Sequence, residues 1–230
     1  MRGRTRPGRL RLLDGVLSRE GGGLTVDVGL GDEPVTTVEL FELLGPKVVG
    51  VDSDSGRVAR AQSFARPGLA FLQRSWSLEL DQPPRLIRAM NVLREYPVHE
   101  AAEASERLAS QLAEGGLLVE GSTDVDGALG SAHLWRKRGG AVVGEGLLFF
   151  TDFSRGFAPM MFRDVLPRDL RREVKPGTGI HAFLQTWQRR FDDGRAAGEN
   201  AASGFDRACE SLAQTERRGV GSLVWRPLAA

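Results

Sequence analysis

The sequence predicts a doubly wound, mostly parallel α/β sheet followed by an antiparallel β-hairpin and a helical appendage. Short apolar segments alternate with longer amphipathic ones from residue 24 to residue 120, which is the pattern of repeated βαβ units. Glycine pairs close several of these units, and after Gly121 the rhythm changes to two apolar runs around Arg138-Gly139-Gly140. The 230 residues are read as one domain: a basic arm and helix over 1–20, a core over 21–150 and a C-terminal appendage over 151–230.

Each element has its own reason. Leu10 to Leu17 carries leucines on helical spacing and is stopped by Gly21-Gly22-Gly23. Leu24 to Val28 is an apolar strand. Pro34 to Leu44 places Val35, Val38, Phe41 and Leu44 on one helical face before Gly45-Pro46 ends it. Lys47 to Val51 is the second strand, followed by a helix through Val58, Ala61 and Ala65; Leu69 to Gln73 is the third strand. Arg85 to Val92 is the fourth, backed by a helix from Glu100 to Ala113, and Leu117 to Glu120 is the fifth. Ala132 to Lys137 and Ala141 to Phe150 form the hairpin, with "GLLFFTDF" a buried strand. Pro167 to Glu173 and His181 to Asp192 read as helices, and the Ala-, Gly- and charge-rich stretch 193–218 as partly loose.

Composition narrows the function. Hydrophobic residues make up 41% of the chain, enough for a sizeable core, and 31 basic against 30 acidic side chains leave a net charge of +1 that sets up no field for nucleic acid or membrane. The basic residues concentrate in Arg2, Arg4, Arg6, Arg9 and Arg11, expected to be a frayed arm, with an RNA-contacting tail as the alternative. The single cysteine, Cys209, allows no intramolecular disulfide, and no apolar run suits a signal or membrane span, so a cytoplasmic protein is expected. His99, His133 and His181 have no metal-ligand spacing, so no metal site is expected; His99 and His133 read as surface or packing residues. The four tryptophans are too dispersed to argue for a nucleic-acid surface over core packing.

The first strand runs into "TVDVGLGDEP" (residues 25–34). Gly29 and Gly31 fall in the first strand-to-helix turn, where ligands of open parallel sheets bind. A phosphate is disfavoured there: Asp32 and Glu33 would repel it, and Pro34 offers no N–H. The motif suits an amine-bearing nucleoside, with Asp27 as acceptor for an ammonium group and Asp52, at the end of "VVGVDSD", as acceptor for ribose hydroxyls.

In order, "VDVGLGDEP", "VVGVDSD", "LIRAMNVLREY" and "LAEGGLLVEGSTD" resemble a class I S-adenosylmethionine-dependent methyltransferase over roughly residues 20–150, which implies a Rossmann-like fold and S-adenosylmethionine as cofactor. The resemblance implies that Asp27, Gly29 and Gly31 contact the methionine part, that Asp52 with Ser53 holds the ribose, and that Ser75 and Trp76 flank the adenine. Glu33 stands where the family usually has a further glycine.

Methyl transfer is an in-line displacement that depends on positioning. The candidates are Asn91 at the end of the fourth strand, also a cofactor contact, Tyr96 after it, and His181 as a base folding over the pocket. No proline pair follows Asn91, which argues against a nucleobase-amine acceptor. Glu120, Ser122, Thr123, Asp124 and Asp126 read as an acidic loop, with Asp124 a possible substrate contact. A small-molecule acceptor is preferred to RNA; a non-catalytic cofactor-binding or interaction protein is the competing reading.

Overall fold

A computed structural model describes residues 6–227. The strands are β1 (Thr25–Val28), β2 (Val48–Asp52), β3 (Leu69–Gln73), β4 (Leu86–Met90), β5 (Leu117–Thr123), β6 (Leu129–Arg138), β7 (Ala141–Thr151), β8 (Thr215–Gly219) and β9 (Ser222–Trp225). The helices are α1 (Arg11–Leu17), α2 (Val35–Leu44), α3 (Ser55–Ala61), α4 (Val98–Ser110), α5 (Arg168–Arg171), α6 (Gly179–Ala196) and α7 (Ala201–Ser211).

All nine strands share one sheet in the order β3-β2-β1-β4-β5-β6-β7-β9-β8. The first five are parallel and the remaining neighbours antiparallel. Helices cover both faces, so the doubly wound α/β fold predicted from the alternation is the fold observed. On one face α1 packs Leu10, Leu13 and Leu17 against Leu86, Leu117, Leu134 and Phe150, and α2 and α3 cover Val48, Leu69 and Phe71. On the other, α4 packs Leu108 and Ala109 on Val26, Ile87 and Leu118. Its buried positions are Ala101, Ala104, Leu108 and Ala109, the first three spaced three and four apart as one helical face requires.

Local chemistry sets the boundaries. The Gly45 N–H donates to the Phe41 carbonyl and closes α2 in a positive-φ conformation. Asp54 caps α3 by accepting from the Arg57 N–H. The third helix stops at Ala61 and continues as a single 3-10 turn, leaving Ala65 exposed rather than helical.

Two expectations are corrected. The fifth strand, expected to end at Glu120, runs on to Thr123, so Ser122 and Thr123 belong to the sheet and, like Glu120, are buried; only Asp124 and Asp126 lie in the loop. The stretch expected to be partly loose is ordered: α6 extends to Ala196, α7 follows, and β8 and β9 add a second hairpin to the sheet. β8, "TERRG", is almost wholly exposed and shows no apolar alternation, which hides it from sequence patterning. The C-terminal helices close over an aromatic cluster in which Trp187, with no exposed surface, meets Phe149, Phe157, Phe162 and Phe205 at ring-centroid distances of 5.3 to 6.2 Å.

The N-cap of α7 is Asn200, whose side chain accepts from the Ser203 N–H at 2.9 Å. Asn200→Ala is expected to lower stability by about 1 kcal/mol in urea unfolding, the usual effect of losing such a cap. An unchanged midpoint would show that α7 is held by Phe205 and its packing alone.

Candidate functional site

The sheet order reverses between β1 and β4, which makes the crevice at their carboxyl ends the expected ligand position of an open α/β sheet. Several sequence candidates meet there. Gly29 (φ 91°) and Gly31 (φ 66°) both lie in the left-handed region that favours glycine. The Gly29 N–H donates to the Val51 carbonyl at 2.8 Å, tying the loop to β2. A Cβ on Gly29 would come within 2.5 Å of Val92 Cγ2, so the loop after β4 lies directly against the loop after β1.

Asp52 ends β2 and is buried. Its Oδ2 accepts from the Leu30 N–H at 2.9 Å and its Oδ1 from the Asp54 N–H at 3.0 Å, so the acid and the glycine loop form one unit. Arg57 Nη1 stands at 3.4 Å from Oδ2 on a partly exposed side chain, a long contact that a better donor can replace. A carboxylate has about four acceptor sites, so Asp52 retains capacity for a hydroxyl donor. Ser53 is exposed beside it, with its carbonyl accepting from Gln73 Nε2.

Asp27 is tied into the protein interior. It lies on the α1/α2 face of β1, opposite Arg88 in the β1–β4 register. Arg88 is fully buried and donates from Nε to Asp27 Oδ1 and from Nη2 to Asp27 Oδ2, both at 2.8 Å. Thr37 Oγ1 donates to the same Oδ2 at 2.6 Å, Arg88 Nη1 donates to Asp14 of α1, and Arg88 Nη2 also reaches the Thr36 carbonyl at 2.9 Å. Both Asp27 oxygens are therefore engaged inside the molecule, by three of the protein's own donors. Burial raises the Asp14 pKa, and pairing with Arg88 offsets that only in part. Arg88 is pushed upward: burial opposes its charge, but the two aspartates outweigh burial. Sequence reading missed Arg88, Thr37 and Asp14, although a lone arginine inside the apolar run "LIRAM" was a visible signal.

Asn91 follows β4 with φ 63°. Its side chain accepts from the Thr123 N–H at 2.9 Å and donates from Nδ2 to Thr123 Oγ1 at 3.1 Å, pinning the ends of β4 and β5 together. Among the described residues no backbone N–H donates to the Asn91 or Gly29 carbonyls. Tyr96 meets Trp76 edge to face at 5.4 Å, while Ser75 is exposed beside them. His181 stands apart, on the first turn of α6, a helix packed on α7 and the Pro159–Val165 turn, and no hydrogen bond joins it to the β1 or β4 loops among the described residues.

The basic arm is partly docked rather than frayed. Arg9 Nε donates to Thr123 Oγ1 and to the Asp124 carbonyl, both at 3.1 Å, and Arg6 pairs with Asp126. Asp124 also accepts from the Leu129 N–H, and Asp126 pairs with Arg155, so this loop's acids are taken up by the protein's own groups. Arg2 and Arg4 lie outside the described residues. Among the described residues no group of three His, Cys, Asp or Glu side chains is placed to hold a metal ion, and no helix is long and apolar enough to cross a membrane.

No protein-family model matches the chain, and no curated protein matches it. Solved structures do. The N-methyltransferase NodS from Bradyrhizobium japonicum WM9, in complex with S-adenosyl-L-homocysteine, is 19% identical over 49% of this chain and 59% of its own, with a TM-score of 0.41. Magnesium protoporphyrin IX methyltransferase (ChlM) from Synechocystis PCC 6803, also with bound S-adenosyl-L-homocysteine, is 22% identical over 47% and 52%, with a TM-score of 0.40. An S-adenosylmethionine-dependent methyltransferase from Mesorhizobium loti is 23% identical over 48% and 51%, with a TM-score of 0.41. The chain thus spans between about half and three-fifths of the length of these structures.

Proposed function

We propose that this protein is an S-adenosylmethionine-dependent methyltransferase acting on a small molecule. The observation that carries the reading is the assembled unit at the strand-order reversal: two positive-φ glycines whose loop donates its Leu30 N–H to Asp52, with acidic residues and a proline in place of phosphate donors. Asp52 would accept the ribose hydroxyls, and Trp76 would border the adenine. The unbonded carbonyls of Gly29 and Asn91 would take the ammonium group, the part first assigned to Asp27. Asp27 is then a positioning residue that holds the loop through Arg88. The bound cofactor would supply an electrophilic methyl group, and this chain's residues would orient it. Asn91 sets the spacing of the β4 and β5 ends, and Tyr96 fixes Trp76. His181, on α6, would serve as a base only for an acceptor that reaches that helix. The engagement of Arg6 and Arg9 by the β5–β6 loop favours a small molecule over RNA.

Calorimetry with S-adenosyl-L-homocysteine tests the reading. Asp52→Ala is expected to weaken binding about 10- to 100-fold, the effect of losing charge-assisted hydrogen bonds to the ribose. Absence of binding by the parent, or equal affinity in Asp52→Ala, would overturn it. A non-catalytic binding protein is the second reading, favoured by the way Asp27 and Asn91 are both occupied with internal bonds. Methyl transfer from tritiated cofactor into a cell extract decides between the two.

A further inference from the structure

The chain passes from β5 directly into β6, so no crossover helix covers this part of the α4 face. A groove remains between α4 and the β6–β7 hairpin, with a cavity volume of about 450 Å³, within the range of small-molecule sites. Its walls are mainly apolar, with Val98, Ala101 and Ala102 from α4 facing Trp135 and Val142 from the hairpin. Glu120 lines it from β5 at 6% exposure, directly across the ladder from His133.

Among the described residues Glu120 has no ion-pair partner of its own in this groove. His133 Nε2 lies 3.0 Å from both carboxylate oxygens of Asp169, and the two neutralise each other. Arg168 directs its Nε to the Tyr96 carbonyl at 3.1 Å. Among the described residues no protein donor hydrogen-bonds the Glu120 carboxyl, which lines the apolar groove and leaves its acceptor sites free for a donor that enters it. The indole N–H of Trp135, on the same wall, also lacks a partner.

We propose that this groove is a ligand site separate from the β1–β4 crevice, taking an apolar or aromatic molecule with one ammonium group seated on the Glu120 carboxylate. An ammonium supplies the hydrogen-bond donor that Glu120 lacks together with a positive charge in direct contact, and the walls bury the rest of the ligand. An anion would face Glu120 and Glu106, the exposed acid at the rim.

The test uses benzylammonium as probe, with benzyl alcohol and benzoate as its neutral and anionic counterparts, followed through the indole resonance of Trp135 in the full chain. Saturable binding in the order ammonium, alcohol, benzoate is expected. Glu120→Gln, close to isosteric, should weaken benzylammonium about tenfold and leave benzyl alcohol unchanged. Ala102→Trp, at an exposed rim position, should block all three by filling the groove. No shift at Trp135, equal affinity for benzoate, or an ammonium preference that survives Glu120→Gln would overturn the proposal. S-adenosyl-L-homocysteine binding measured on the Glu120→Gln variant reports the other crevice independently, so failure of one site is distinguishable from failure of the other.

Discussion

Arg88→Met is expected to destabilise the fold by about 3–5 kcal/mol, because it removes the one cation between two buried carboxylates. Asp14 and Asp27 would both lie inside the α1/α2 face with no compensating charge, and the Thr36 carbonyl would lose its side-chain donor. The loss should be largest at neutral pH and shrink in acid, where the orphaned carboxyls take up protons. Urea unfolding of parent and variant at both pH values measures it. A triple variant, Asp14→Leu, Asp27→Leu and Arg88→Met, should recover most of the loss, since the penalty comes from uncompensated charge rather than from the absence of an ion pair. A loss below about 1 kcal/mol in Arg88→Met, or no recovery in the triple variant, would mean that the cluster is hydrated and its charges are not the governing term. The same cluster ties α1, α2, β1 and β4 together beneath the glycine loop, so Asp27→Ala should act on stability first and on ligand affinity through it.

The parallel half of the sheet was legible because its signals are local: an apolar run, a glycine stop and a 3.6-residue period. β3 was read at its observed bounds, and the remaining early strands within a few residues. The glycine loop and Asp52 were legible as a pair because strand ends place them, and the structure joins them through Leu30. Legibility failed where a residue's environment is set by a distant partner. The pairing of Asp27 with Arg88 was not legible because the two residues stand 61 positions apart in the chain. Ser122 and Thr123 looked like loop residues because they resemble turn residues, although β6 pairs with them and holds them in the sheet. β8 was hidden by its exposure, and its pairing with β9 depends on the tight Gly219-Val220-Gly221 turn.

Glu120 also makes stability depend on pH. Burial raises its pKa from the ordinary 4.5 to about 7; His133 opposes the rise and Asp169 adds to it. Below pH 4.5 the carboxyl is protonated in folded and unfolded chains alike, and the folded state is not penalised. As pH rises towards 7 the unfolded chain releases the proton while the folded one keeps it, so stability falls across this window, by roughly 3 kcal/mol in total. His133 acts in the same direction: burial lowers its pKa, but the Asp169 hydrogen bond and charge, with Glu120, raise it overall. Its stabilisation is complete below 6.5 and is lost as pH climbs through the raised value. Asp169, held low by the His133 hydrogen bond and charge, contributes only in more acidic solution. Glu120→Gln removes the carboxyl's share, so the variant should match the parent below pH 4.5 and exceed it by about 2–3 kcal/mol above 7. Urea unfolding across that range decides it: a parent curve without the fall, or a variant that follows the parent, would rule out burial of Glu120 as the cause. A glutamate that lowers stability at neutral pH and has no internal donor fits a group retained for what it binds rather than for the fold, as perturbed acids in clefts often are.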